Sequence, residues 1–130
     1  MYKLIGVLLL GMILSFVPSS SIKYVRAEES TTEEIIIVQA RYYGVSAVDM
    51  LRVAKCESDL LQTKNGVIVK GQAGELGIFQ YMPSTFKWFS QMLGEELNIN
   101  SKYDQIRLTA FAFSKGLQRH WTCSRIVGIL

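Results

Sequence analysis

The sequence is short of the residues that build most metal and cofactor centres. Its 130 residues include one histidine, His120, and two cysteines, Cys56 and Cys123. Two cysteines cannot form a multi-bridge scaffold, and with one histidine they fall short of the four ligands of a structural zinc site. His120 stands beside Trp121 and reads as a surface or packing residue, not as the base of a Ser/His/Asp or Cys/His catalyst. No metal and no cofactor is expected. An excess of one charge is also missing once the first segment is set aside. Lysine and arginine total 14 against 11 acids, a formal charge of +3. Residues 1–27 carry Lys3, Lys23 and Arg26 and no acid, so the chain from Glu28 onward is balanced at 11 against 11. A polyanion-binding protein normally carries a basic patch or stripe, and no nucleic-acid partner is expected. No internal repeat, Pro/Gly/Ser-rich linker or coiled-coil heptad is present, which argues for one domain and a monomer. The composition, 49% hydrophobic and 19% charged, is globular and not disordered.

The longest apolar run, Leu4–Val17, follows Lys3 and is broken by Pro18 and the serines Ser19–Ser21. It covers 14 residues, whereas a membrane-spanning helix needs about 20. Val25-Arg26-Ala27 has a small-x-small pattern suited to cleavage. Residues 1–27 therefore read as an export signal, and 28–130 as one extracytoplasmic domain of the periplasm, cell wall or medium. No cysteine follows the run closely enough for a lipid anchor. Oxidising surroundings favour a disulfide, and only one intramolecular pairing exists, Cys56–Cys123.

The domain reads as mostly helical. Ser30 or Thr31 caps a first helix, with Glu33 or Glu34 completing a capping box and Gly44 stopping it. Ser46 with Asp49 opens a second, whose apolar face is expected at Val48, Leu51 and Ala54 and whose end falls near Cys56-Glu57-Ser58. Asn65-Gly66 between β-prone runs is a strong hairpin signal. A turn-rich segment with Gly71, Gly74 and Gly77 follows, and Pro83 suits the first turn of a third helix through Phe86, Phe89 and Leu93 to Gly94. Ser101 opens a fourth, with Tyr103, Ile106, Ala110, Phe113 and Leu117 as one buried stripe. The fold class is α+β, dominated by helices, with a small hairpin after the second helix.

Glu57 stands apart among the carboxylates. A negative charge at a helix C-terminus opposes the helix dipole. Partly buried there, a glutamate has its pKa raised by desolvation, which suits a general acid near neutral pH. After fifteen intervening residues, Glu57-Ser58 is followed by Gly74-Glu75-Leu76-Gly77-Ile78-Phe79-Gln80-Tyr81-Met82-Pro83-Ser84-Thr85. Glu-Ser followed by Gly-x-x-Gly-x-x-Gln-x-Met-Pro-x-Thr resembles the soluble lytic transglycosylases, lysozyme-like enzymes of peptidoglycan. Where that family carries Ala-Tyr-Asn-x-Gly, this chain has Ala112-Phe113-Ser114-Lys115-Gly116. The resemblance spans roughly Ser46 to Trp121.

The resemblance implies a lysozyme-like domain cleaving the β-1,4 bond between N-acetylmuramic acid and N-acetylglucosamine. Glu57 is then the single acid/base, and the product is a 1,6-anhydromuramyl end. Ser58, Gln80, Met82 and Phe113 become the substrate-binding candidates. Replacement of the family tyrosine by Phe113 leaves Tyr81 or Tyr103 to supply a hydroxyl. Trp121 and Trp88 could stack on sugars, with core packing favoured for Trp88. Asp59 and Glu75 read as solvated, Glu75 being the better placed to position water. The expected partners are glycan strands of peptidoglycan, with cell-envelope or secretion machinery as a further class. Two alternatives remain: a hydrolase of the same bond resembling goose-type lysozyme, and a catalytically silent peptidoglycan-binding module.

Overall fold

The computed structural model describes residues 30–130, and the expected export signal over 1–27 lies outside the described residues. Helix α1 (Thr32–Tyr43) starts where the Thr31 side chain accepts from the Glu34 N–H and Glu34 accepts in return from the Thr31 N–H, and it ends at Gly44 in the left-handed conformation. Helix α2 (Ala47–Ser58) is capped by Ser46, which accepts from the Asp49 N–H. Strands β1 (Thr63–Lys64) and β2 (Val67–Ile68) pair antiparallel. Asn65 and Gly66 between them both have positive φ, as a primed two-residue turn requires. Helix α3 (Pro83–Leu93) begins on Pro83 and ends at Gly94, and α4 (Lys102–Ser114) is capped by Ser101. A short 3-10 turn, Gln118–His120, leads into α5 (Thr122–Ile126). The fold is mostly helical α+β, with its hairpin directly after α2.

Helix α4 is the centre of the molecule, with α1 and α3 packed against it. Gln105, Ile106 and every residue from Leu108 to Phe113 are buried, so the single stripe expected from the sequence is too narrow. Tyr103, expected in that stripe, is 49% exposed. Leu117 lies beyond the helix end and packs only partly on the core. The face of α2 also differs from expectation. Ala54 is buried as expected and Leu51 packs partly on the core, but Met50 and Val53 are also buried while Val48 is 64% exposed, because the helix leans on α1 and α5.

The segment between β2 and α3 has little regular structure, and buried side chains take over the pairing of its backbone. The Gln62 Oε1 accepts from the Ile78 N–H at 3.0 Å, and Ser58 Oγ donates to the Ile78 carbonyl at 2.7 Å. Gln105 Oε1 accepts from the Phe79 N–H at 3.1 Å, and the Trp121 indole donates to the Phe79 carbonyl at 2.9 Å. The two amides close on Gly77. A Cβ there would lie 2.2 Å from Gln105 Nε2 and 2.7 Å from Gln62 Oε1, and φ is +76°. Glycine is required on both counts.

A disulfide joins Cys56 at the end of α2 to Cys123 in α5, with Cα atoms 5.8 Å apart across 67 residues of sequence. Chain-entropy arguments put its contribution at about 4 kcal/mol, a large share of the roughly 5–15 kcal/mol that holds a domain folded. The double variant Cys56→Ala/Cys123→Ala is expected to lose most of that amount in chemical denaturation. Gln105→Leu, which leaves the Phe79 N–H without its partner and takes one of two donors from each of the Leu76 and Ile99 carbonyls, is expected to cost about 1–3 kcal/mol. An unchanged denaturation midpoint in either protein would remove the corresponding role.

Candidate active site

Glu57 occupies the last turn of α2 because the helix breaks immediately after Ser58. Asp59 and Leu60 are both left-handed, at φ +59° and +65°. Their N–H groups return to the Lys55 and Ala54 carbonyls, which turns the chain sharply toward the hairpin. Glu57 is thereby left at the wall of a small cavity of about 170 Å³, which is lined also by Glu75, Gln80, Tyr81, Met82, Thr85, His120, Trp121 and Thr122. Three stretches of chain meet there: the end of α2, the segment from Glu75 to Thr85, and the start of α5.

The Glu57 carboxyl is half-buried, and its pKa is raised above the ordinary carboxylate value. Desolvation is the main cause; a backbone hydrogen bond from Cys123 works against it, and repulsion from Glu75 adds to the rise. The Cys123 N–H belongs to the first turn of α5, one of the donors that no helix can satisfy internally. The disulfide thus ties together the residue before the acid and the residue that donates to it. A carboxyl in this setting keeps its proton to higher pH than a solvated one and can still release it. Those are the two states a general acid/base must visit.

Gln80 is strained and tethered. It stands at φ +48°, a conformation that costs a non-glycine residue on the order of 1–2 kcal/mol. Its amide donates to the Gly77 carbonyl at 2.8 Å and the Val69 carbonyl at 3.4 Å. A Cβ at Gly71 would fall within 2.7 Å of its Oε1 and 2.2 Å of Glu75 Oε2, so the bare backbone of Gly71 is what lets both side chains sit there. Met82 is 39% exposed at the start of α3, its thioether open to a ligand.

Two sequence candidates are not in the cavity. Ser58 Oγ donates to the Ile78 carbonyl and accepts from the Leu61 N–H, a structural tie between α2 and the loop. Phe113 is 5% exposed and packs edge-on to Trp121 with centroids 5.5 Å apart; it is core, because α4 is enclosed all round over the stretch Leu108 to Phe113. Neither tyrosine takes over a hydroxyl role at the acid. Thr109 Oγ1 gives its proton to the Gln105 carbonyl, so the buried Tyr81 hydroxyl donates to Thr109 at 2.9 Å, and burial pushes Tyr81 ionisation up. The Tyr103 hydroxyl accepts from Gln39 Nε2 at 3.0 Å, far along α4. Asp59 pairs with Lys55 at the surface.

Two expectations, for Glu75 and Trp88, change in the other direction. Glu75, read as solvated, lines the cavity and accepts from the Ala73 N–H at 3.0 Å. His120 is a surface and packing residue as expected, and it also borders the same cavity. Trp88 is not core but 47% exposed. Thr122 and the place of His120 at the cavity were not expected, although the Cys56–Cys123 pairing was a usable signal: a residue just before Cys123 is brought near Glu57. Among the described residues no three His, Cys, Asp or Glu side chains converge to hold a metal ion, and no helix is long and apolar enough to cross a membrane.

The raised pKa of Glu57 carries a stability consequence. Stability from a carboxyl with a raised folded pKa is present in full below its unfolded value and is lost as pH rises through the folded one. Glutamine never ionises and can still accept from Cys123. Glu57→Gln is therefore expected to melt higher than the parent at neutral pH, with the gap closing below pH 4.5. Thermal melts across pH test this, and a gap that stays constant would refute the desolvated acid.

No protein-family model, curated protein or solved structure matches this chain, so its function has to be read from the chemistry of the site itself.

Proposed function

We propose that the chain is an exported lytic transglycosylase that cleaves the β-1,4 bond between N-acetylmuramic acid and N-acetylglucosamine in peptidoglycan. One observation carries the reading. Glu57, held as a reluctant anion, shares its cavity with Gln80, Met82 and Thr85, all from the segment whose pattern resembles that family. Extracytoplasmic placement is part of the proposal and agrees with the Cys56–Cys123 bond, since disulfides persist chiefly in oxidising compartments.

In this mechanism the Glu57 proton passes to the bridging oxygen as the C1–O4 bond breaks. The acetamido oxygen of the muramyl residue supports the cationic C1, as in substrate-assisted glycosidases. Ionised Glu57 then takes the proton of the muramyl 6-hydroxyl as O6 bonds to C1. The carboxyl ends protonated as it began, and no water is consumed. Desolvation serves both halves, strengthening the acid's hold on its proton and making the anion a better base. Met82 offers a sugar ring a polarisable contact, and the Gln80 carbonyl oxygen is available to its hydroxyl or N-acetyl groups.

A second reading is favoured by one finding. Glu75 lines the same cavity as Glu57, so a second carboxylate stands where it could orient water. Hydrolysis of the same bond, in the manner of goose-type lysozyme, would use it.

Glu57→Gln is expected to bind glycan and to lose at least about a hundredfold in rate, the usual scale for a general acid/base. Activity near that of the parent would remove Glu57 from the chemistry. Mass spectrometry of the digest is expected to show 1,6-anhydromuramyl ends, one water lighter than hydrolytic products. Reducing ends throughout, lost in Glu75→Gln, would establish the hydrolase instead.

A further inference from the structure

We infer that the cleft continues past the reacting carboxyl onto an aromatic platform, Trp88 with His120, which takes one further pyranose ring of the glycan strand and makes cleavage favour longer substrates. The inference rests on the reading of the cavity as a glycan site and adds to it a residue that sets substrate length.

The geometry begins on α3. Met82, Thr85 and Trp88 follow one another at intervals of three, so each step joins neighbours while the row winds by about 120° round the helix between its two ends. Met82 is at the cap of the helix and Trp88 within its second turn. The rise of about 1.5 Å per residue puts roughly 9 Å between the two ends of this row, enough to carry a strand beyond the ring at Glu57. Met82 and Thr85 line the Glu57 cavity, while Trp88 stands outside it at 47% exposure. His120, which borders the cavity and lies against the Trp88 ring, joins the cavity to the indole.

That indole is held, not loose. Its ring lies 5.4 Å from the His120 ring, edge to face, and 5.1 Å from Phe89. His120 packs in turn on Phe89 at 5.1 Å, and Phe89 is fully buried. A large apolar side chain fixed in water has already met the ordering cost of binding, which otherwise weakens association. His120 belongs to both features, bordering the cavity and bracing the indole. The flat, C–H-rich face of a pyranose suits such a surface, and its hydroxyls remain free to meet water.

Binding is best measured in the Glu57→Gln background, where the ligand is not consumed. The probes are β-1,4-linked N-acetylglucosamine dimer and hexamer, titrated by calorimetry and by tryptophan fluorescence. The hexamer is expected to bind more tightly than the dimer, and Trp88→Ala is expected to cut that preference by about tenfold, the scale of one lost aromatic contact. Trp88→Phe, which keeps a ring, should recover part of the preference. It should also reduce the hexamer-induced fluorescence change to the size of the dimer-induced one, because the remaining signal comes from Trp121, which lines the cavity at 5% exposure. An undiminished preference in Trp88→Ala, or a hexamer-induced fluorescence change in Trp88→Phe as large as the parent's, would overturn the platform and leave the proposed function standing. Failure of the Glu57→Gln protein to bind either oligomer would overturn both.

Discussion

The cleft depends on the covalent bond between α2 and α5. A five-residue helix such as α5 has no stability of its own, since nucleation alone outweighs the few hydrogen bonds it forms. Joined through Cys123 to Cys56, it becomes a fixed wall. Three consequences follow from that one link. The acid at Glu57 is anchored through its neighbour, the Cys123 N–H is presented to its carboxyl, and His120, Trp121 and Thr122 are brought round to close the cavity. A glutamate at the C-terminal end of a helix is electrostatically misplaced, and the donor from α5 partly compensates. Partial compensation is the useful outcome. Full hydrogen bonding would hold the group ionised, and none would leave it permanently neutral.

The opposite wall solves a different problem. An irregular segment at the edge of a core must satisfy its backbone groups without a sheet or helix to do so. Here Gln62, Gln105, Ser58 and the Trp121 indole stand in for the missing ladder. Amide side chains suit the task because each offers a donor and an acceptor at a fixed distance. The arrangement is rigid because its members are buried, and it presents Gln80 in a strained conformation toward the cavity. Gly77 and Gly71 are small for steric reasons that appear only when the amides and carboxylate that close on them are located.

Aromatic packing joins the two walls. Trp121 touches Phe79, Tyr81, Phe89 and Phe113, so the residue beside the α5 wall is also the middle of the core. This placement explains why Phe113 is lost to the cleft. A ring at that position on α4 meets Trp121 before it can reach solvent. It also separates the two tryptophans by role, one buried as a strut and one displayed on α3.

Much of this was legible in the chain itself. Thr31, Ser46 and Ser101 cap helices, Gly44 and Gly94 end them, and Asn65-Gly66 makes the hairpin. Each of these depends on atoms within about four residues of one another, so local chemistry suffices. The lone pair of cysteines and a glutamate at a helix end were equally readable, since the first is a matter of counting and the second of position. The faces and the company of side chains were not. Val48 and Tyr103 lie outward, Ser58 and Phe113 turn away from the cleft, and Glu75, His120 and Thr122 turn into it. Those outcomes depend on which helix covers which side, and a cavity made by residues 57, 75–85 and 120–122 exists only where distant segments meet. Periodicity determines that a helix has a buried side; the packing of its neighbours alone decides which side that is.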